Sequence, residues 1–125
     1  INNLAKRINE LAKKKIKIFY SRFTMHCVNE EVENELLLWL LNNMNGNDYL
    51  FIESRTEIDE LYGKGIPFDG GFVTSHYRRF LNYENFKTKI SKMGFKVQYE
   101  ILSKGLAVQG DEDPRVMRFV LRGSK

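Results

Sequence analysis

Apolar residues recur at Leu4, Ile8, Leu11 and Ala12, the i, i+4, i+7, i+8 spacing that lines one face of a helix. Lys13, Lys14 and Lys15 fall in its predicted last turn, where cations meet the negative end of the helix dipole. The period then changes. Residues 16–23 are rich in β-branched and aromatic side chains and almost continuously apolar after Lys17, which predicts a central parallel strand covered on both faces. Asn29 predicts a helix start, because its side-chain oxygen can accept an otherwise unpaired N–H, and Glu30 and Glu31 suit the positive end of the dipole. Val32, Leu36, Trp39 and Leu40 make the stripe expected to be buried. Asn45-Gly46 is the expected stop, with the glycine left-handed, before a short apolar strand at Tyr49 to Glu53.

From Ser54 to Phe80 periodicity is lost, and Gly63, Gly65, Gly70, Gly71 and Pro67 predict a long loop, of a length usually tied to function. Asn82 opens a third helix with Phe86, Ile90 and Met93 on one face and Gly94 at its end. Phe95, Val97, Tyr99 and Ile101 then alternate with polar residues, as in an antiparallel strand. Asp111 to Pro114 predicts a turn, and Arg115 to Arg122 a last strand with Met117, Phe119 and Leu121 on one side, so the tail reads as a hairpin. There is no internal repeat and no low-complexity segment. Helices alternating with apolar strands predict an α/β sheet whose ligands gather beyond the carboxyl ends of its parallel strands.

Composition narrows the class without deciding function. With 125 residues, 42% of them hydrophobic and 29% charged, the chain reads as one globular unit. The chain opens on Ile1 with a helical pattern already under way, from which a longer parent chain is expected. The single cysteine, Cys27, excludes an internal disulfide and fits a reducing cytoplasm. The longest apolar run, Leu36 to Leu41, is far short of the roughly 20 residues of a membrane span, so no membrane partner is expected. The net charge of +4 is mild, and lysines are interspersed with glutamates. No basic stripe or binding motif points to specific nucleic acid.

Both predicted parallel strands end in the same dipeptide, Ser21-Arg22 and Ser54-Arg55, which places two arginines at the ligand-binding rim. Lys64, Arg78 and Arg79, with His76 and Tyr77 between, can return to that rim and bind a carboxylate or phosphate, since guanidinium forks match such oxyanions. The alternative is that these cations pair structurally with Glu53, Glu57, Asp59 and Glu60. His26 follows the first strand where a general base would face a substrate hydroxyl; a capping or packed histidine is the competing reading, and His76 carries the same ambiguity. A metal site from His26, His76 and Cys27 is rejected, because neighbouring residues would have to point at one ion. Cys27 reads as a buried structural thiol. Tyr62, Phe68, Phe72, Tyr77 and Phe80 either stack on a ligand or anchor the loop.

Five segments, in order, carry a resemblance: residues 19–26 (FYSRFTMH), 52–55 (IESR), 59–65 (DELYGKG), 76–80 (HYRRF), and Gly105-Leu106-Ala107 with Glu112-Asp113-Pro114. Together they resemble small-molecule methyltransferases of the Rossmann-like class that use S-adenosylmethionine, and look closest to members associated with bacterial surface-polysaccharide (capsule) modification. The resemblance implies that residues 1–125 are a single partial domain, the carboxyl-terminal, acceptor-facing half. It would supply the fourth to seventh strands of a seven-stranded sheet, the last antiparallel. It also implies that Ser21, Arg22 and Phe23 lie beside the cofactor, while His26, Arg55, Tyr62, His76, Tyr77, Arg78 and Arg79 face the acceptor. The glycine-rich turn and the acidic residue that hold the cofactor in such enzymes have no counterpart before Ile1.

The expected activity is methyl transfer to a small anionic acceptor in a longer parent. His26 or His76 would be the base, and Arg55, Tyr62, Lys64, Tyr77, Arg78 and Arg79 would bind the acceptor. The competing expectation is a non-catalytic methyltransferase-like module, a homo-oligomer or one completing its sheet with a partner chain.

Overall fold

The computed structural model describes residues 2–13 and 15–124. In chain order the elements are α1 (Asn2–Leu11), β1 (Ile18–Arg22), α2 (Glu30–Asn43), β2 (Tyr49–Arg55), β3 (Ile66–Phe68), β4 (Gly71–Val73), β5 (Tyr77–Arg78), α3 (Tyr83–Met93), β6 (Lys96–Ser103) and β7 (Val116–Arg122), with a single 3-10 turn at Met25–Cys27. The main sheet runs β1-β2-β7-β6. β1 and β2 are parallel, and β7 is antiparallel to both β2 and β6, so β6 runs in the direction of β1 and β2. This is an α/β fold built on a mixed, partly parallel sheet.

Alternation along the strands sends Leu50 and Ile52 of β2 and Met117, Phe119 and Leu121 of β7 to one face, where Leu37 and Leu40 of α2 and Phe86 and Ile90 of α3 meet them. Burying such side chains stabilises the fold by about 1.5–3 kcal/mol each. α3 follows its sequence signals closely: Asn82 accepts the Asn85 N–H, and Gly94 closes the helix at φ 107°. Asn29 likewise caps α2 by accepting the Val32 N–H.

Several expectations change. Among the described residues β1 pairs on one side only, with β2, and Ile18 and Tyr20 on its outward face are 67% and 70% exposed. Of the expected α2 stripe Leu40 is buried and Leu36 and Trp39 pack partly against the core, but the fully buried line is Glu33, Leu37 and Leu40, and Val32 is 44% exposed. With Leu36 to Leu41 apolar all round, periodicity does not decide which face goes in. The stop of α2 is Met44 in extended conformation, and Gly46 is not among the left-handed glycines. Buried Asp48 does the work there, accepting the Lys17 and Asn45 N–H groups at 2.9 and 2.7 Å. Burial opposes its ionisation, yet these donors and the Lys17 ammonium outweigh that and hold its carboxyl below the ordinary value.

α1 ends at Leu11, so Lys13 and Lys15 lie past its last turn and Lys14 lies outside the described residues. Its Leu4 and Leu11 remain exposed. The tail turn is closed two residues earlier than expected, by the Gln109–Glu112 bridge. A register shift between Val97 and Tyr99 interrupts the alternation of β6, so Leu102, rather than Tyr99, packs on the core with Val97. A bulge reverses which side chains face inward beyond it.

The 54–80 segment is not an open loop. Strands β3, β4 and β5 form a small antiparallel sheet. Gly71 permits it, since a Cβ there would lie 2.5 Å from the Arg78 carbonyl oxygen. The segment is pinned to the main sheet where Leu81 donates to the Arg55 carbonyl and Arg79 to the His26 carbonyl.

Candidate functional site

The carboxyl ends of β1 and β2 lie side by side, with Ser21 opposite Ile52 and Arg22 opposite Glu53. Arg22 and Arg118 both bind the Glu53 carboxylate, at 3.0 and 2.5 Å. Phe23 leaves the strand at φ 53°, a conformation that costs a non-glycine residue roughly 1–2 kcal/mol. That turn lays its ring beneath the Arg22 and Arg55 guanidiniums, 5.2 and 5.9 Å from its centre, and against the His26 ring. Ser21 Oγ is buried with no hydrogen-bond partner among the described residues.

His26 is 3% exposed and stands on the 3-10 turn that follows. Its Nδ1 accepts the Arg55 N–H at 3.1 Å and lies 3.2 Å from Ser54 Oγ. A backbone amide can only donate, so the neutral ring carries its proton on Nε2. Burial, followed by the positive charge of Arg55, Arg78, His76 and Arg79, pushes its pKa down to about 3. His26 is therefore a hydrogen-bond donor through Nε2 at neutral pH. The occupied accepting nitrogen and the disfavoured imidazolium weigh against His26 as the general base.

The other expected site residues divide into two groups. Arg55 is consumed by Asp59, with one nitrogen 3.2 and 3.1 Å from the two carboxylate oxygens, and reaches Glu112 at 3.5 Å. Arg79 binds buried Glu33 at 2.7 Å and donates to the Val28 and Met25 carbonyls. Both hold the loop in place, as the structural alternative anticipated for Arg55 with Asp59. Tyr77 donates to the Asp69 carbonyl at 2.7 Å, and burial raises its pKa. Tyr62 packs edge-on against Phe72 and Phe80, so these rings anchor the loop. His76 is exposed in the β4–β5 turn, its Nδ1 3.1 Å from Ser75 Oγ.

Lys64 and Arg78 are brought together. They line a pocket of about 260 Å³ with Leu61, Phe72, Thr74, Phe80 and Glu112. Among the described residues neither has a carboxylate partner; Arg78 donates only to Thr74 Oγ1, at 3.2 Å. The pocket depends on Gly65, at φ 104°, where a Cβ would lie 2.5 Å from the Val73 carbonyl oxygen. A larger cleft of about 410 Å³ holds Tyr62 and Arg79, but its cations are already paired, Arg79 with Glu33 and Lys89 with Glu33 and Glu30.

Cys27 is exposed, not buried, and donates to the Phe23 carbonyl. Desolvation raises its pKa, which disfavours the nucleophilic thiolate. Sequence reasoning missed Glu33 and Thr74, and named Ser54 and Glu112 only within motifs, without a role. For Glu33 a signal exists, a carboxylate in phase with Leu37 and Leu40; for Thr74 there is none.

No protein-family model matches the chain, and no curated protein matches it. No helix among the described residues is long and apolar enough to cross a membrane.

Proposed function

We propose that the chain is the acceptor-facing, carboxyl-terminal half of a Rossmann-like S-adenosylmethionine-dependent methyltransferase that acts, within a longer parent chain, on a small anionic acceptor. The strand order carries this reading: the last strand, β7, is inserted in reverse between β2 and β6, while β1, β2 and β6 run together. That matches the fourth to seventh strands implied by the sequence resemblance, and the cationic rim stands where open α/β sheets bind ligands.

The fit of the residues to the cofactor is partial. Unpartnered Ser21 Oγ and the Phe23 ring suit its methionine end, Arg22 is engaged by Glu53, and no glycine-rich turn follows a first strand here. S-adenosylmethionine would supply an activated methyl group. The chain's own part is alignment and proton handling, the main protein contributions to such a transfer. Lys64 and Arg78 hold the anion, the His26 Nε2–H orients an acceptor oxygen, and exposed His76 takes the released proton. Calorimetric titration of the full-length parent with S-adenosylmethionine tests this: saturable binding is expected, and its absence overturns the reading.

The second reading, a non-catalytic module that completes its sheet with a partner chain, is favoured by one observation, the bare outer edge of β1 with Ile18 and Tyr20 exposed. Light scattering on the sized protein tests this second reading, since a clean monomer at high concentration removes the reason for a partner.

A further inference from the structure

The pocket around Lys64 and Arg78 has a chemistry more specific than positive charge. We infer that it binds an oxyanion, carboxylate or phosphate ester, carried on a single planar apolar ring. The inference rests on the proposal that this loop faces the acceptor, and it names the acceptor's class.

The cations come first. Arg22, Arg55, Arg79 and Arg118 each sit on a carboxylate within 3.5 Å. Lys64 and Arg78 do not, and Glu112, the one acidic residue of the pocket wall, is drawn to Arg55. An incoming anion therefore meets two cations without having to displace an internal partner. Arg78 is also held by Thr74 Oγ1, which fixes the fork that would receive the two oxygens.

The remaining wall is apolar: Leu61, Phe72 and Phe80. Phe72 and Phe80 are tilted 59° to each other with centres 6.5 Å apart, and Tyr62 braces both edge-on at 5.6 and 5.7 Å. Phe80 takes φ 43° to reach that position. A bare inorganic anion would leave this wall unused. At about 260 Å³ the space falls below the roughly 300–1,000 Å³ of sites for drug-sized ligands, so it suits one ring and its anionic group.

The test is a titration of the 125-residue chain, followed by heteronuclear magnetic resonance, with benzoate, phenyl phosphate, acetate and inorganic phosphate at matched ionic strength. Benzoate and phenyl phosphate are expected to saturate, with shifts centred on Lys64, Phe72, Thr74 and Arg78. Their Kd should lie about tenfold or more below that of the ring-free anions. Arg78→Ala should weaken both by roughly tenfold, the worth of one charge-assisted hydrogen bond. Lys64→Ala, whose side chain makes no hydrogen bond or ion pair among the described residues, should weaken them as well and guards against a folding defect in the arginine variant. Phe72→Ala should erase the preference for ring-bearing anions. Equal binding of ring-bearing and ring-free anions, no saturation by any of the four, or unchanged affinity in both cation variants overturns the inference. Failure of the methyltransferase reading shows separately, as loss of S-adenosylmethionine binding by the parent while these probes still bind.

Discussion

His26 illustrates how a residue's neighbours reassign its chemistry. An isolated imidazole is half-protonated near pH 6.5, but this one is buried beside three guanidiniums with Nδ1 already accepting a backbone N–H. Its folded pKa lies below its unfolded value, so the unfolded state binds the extra proton between pH 6.5 and about 3. Stability therefore rises with pH across that window and is lost as pH falls through it, by up to about 1.4 kcal/mol per pH unit. His26→Gln, which keeps an acceptor but does not titrate, is expected to flatten this dependence in urea unfolding followed from pH 7 to 4. A second residue, Glu33, bridges Arg79 and Lys89 at 2.7 and 2.6 Å while fully buried. Glu33→Ala should cost about 3–5 kcal/mol, because it leaves the largely buried Arg79 guanidinium without its carboxylate, with only backbone carbonyls to accept from it. Differential scanning calorimetry reads that loss. Glu33 was partly legible, as a carboxylate in phase with leucines; the fate of His26 was not, since its partners come from residues 28 and 29 positions away.

Among the elements, legibility follows how locally each is determined. α3 could be read from its Asn82 cap, its stripe and Gly94, all of which act within a few residues. α2 could be bounded at Asn29 but not oriented, because a helix apolar on most of its circumference is turned by what it packs against. The β3–β4–β5 sheet left almost no trace in the pattern, being made of two- and three-residue strands. It rests on close backbone approach at Gly71, where a Cβ would also lie 2.9 Å from the Arg79 Cα. Gly71→Ala is expected to push β4 from β5 and cost about 1–3 kcal/mol. Amide hydrogen exchange checks this, with faster exchange at Val73 and Tyr77 and unchanged exchange in β2 and β7.

For the molecule as a whole, the asymmetry of the main sheet is the dominant feature. One face carries the core; on the other, Tyr20, Phe51, Val120 and Tyr99 form a single row across all four strands by their pairing. Both tyrosines are exposed, Tyr20 on β1 and Tyr99 on β6 at the opposite end of the sheet. Such a surface favours self-association. Sedimentation velocity is expected to show a concentration-dependent increase in mass, relieved by Tyr20→Lys, with folding stability changed by no more than about 0.5 kcal/mol.

By itself the sequence determined the alternation of helices and strands, both helix caps, the two Ser-Arg strand ends and the cationic, aromatic character of the loop. These depend on neighbours along the chain and on side-chain chemistry. Tertiary structure alone decided that β7 lies between β2 and β6, which face of α2 is buried, and how the cations are divided. Arg55 and Arg79 meet carboxylates and carbonyls that are close only after folding, while Lys64 and Arg78 do not. Charge is written in the sequence, but whether it is free depends on the distances between charges, and folding sets those.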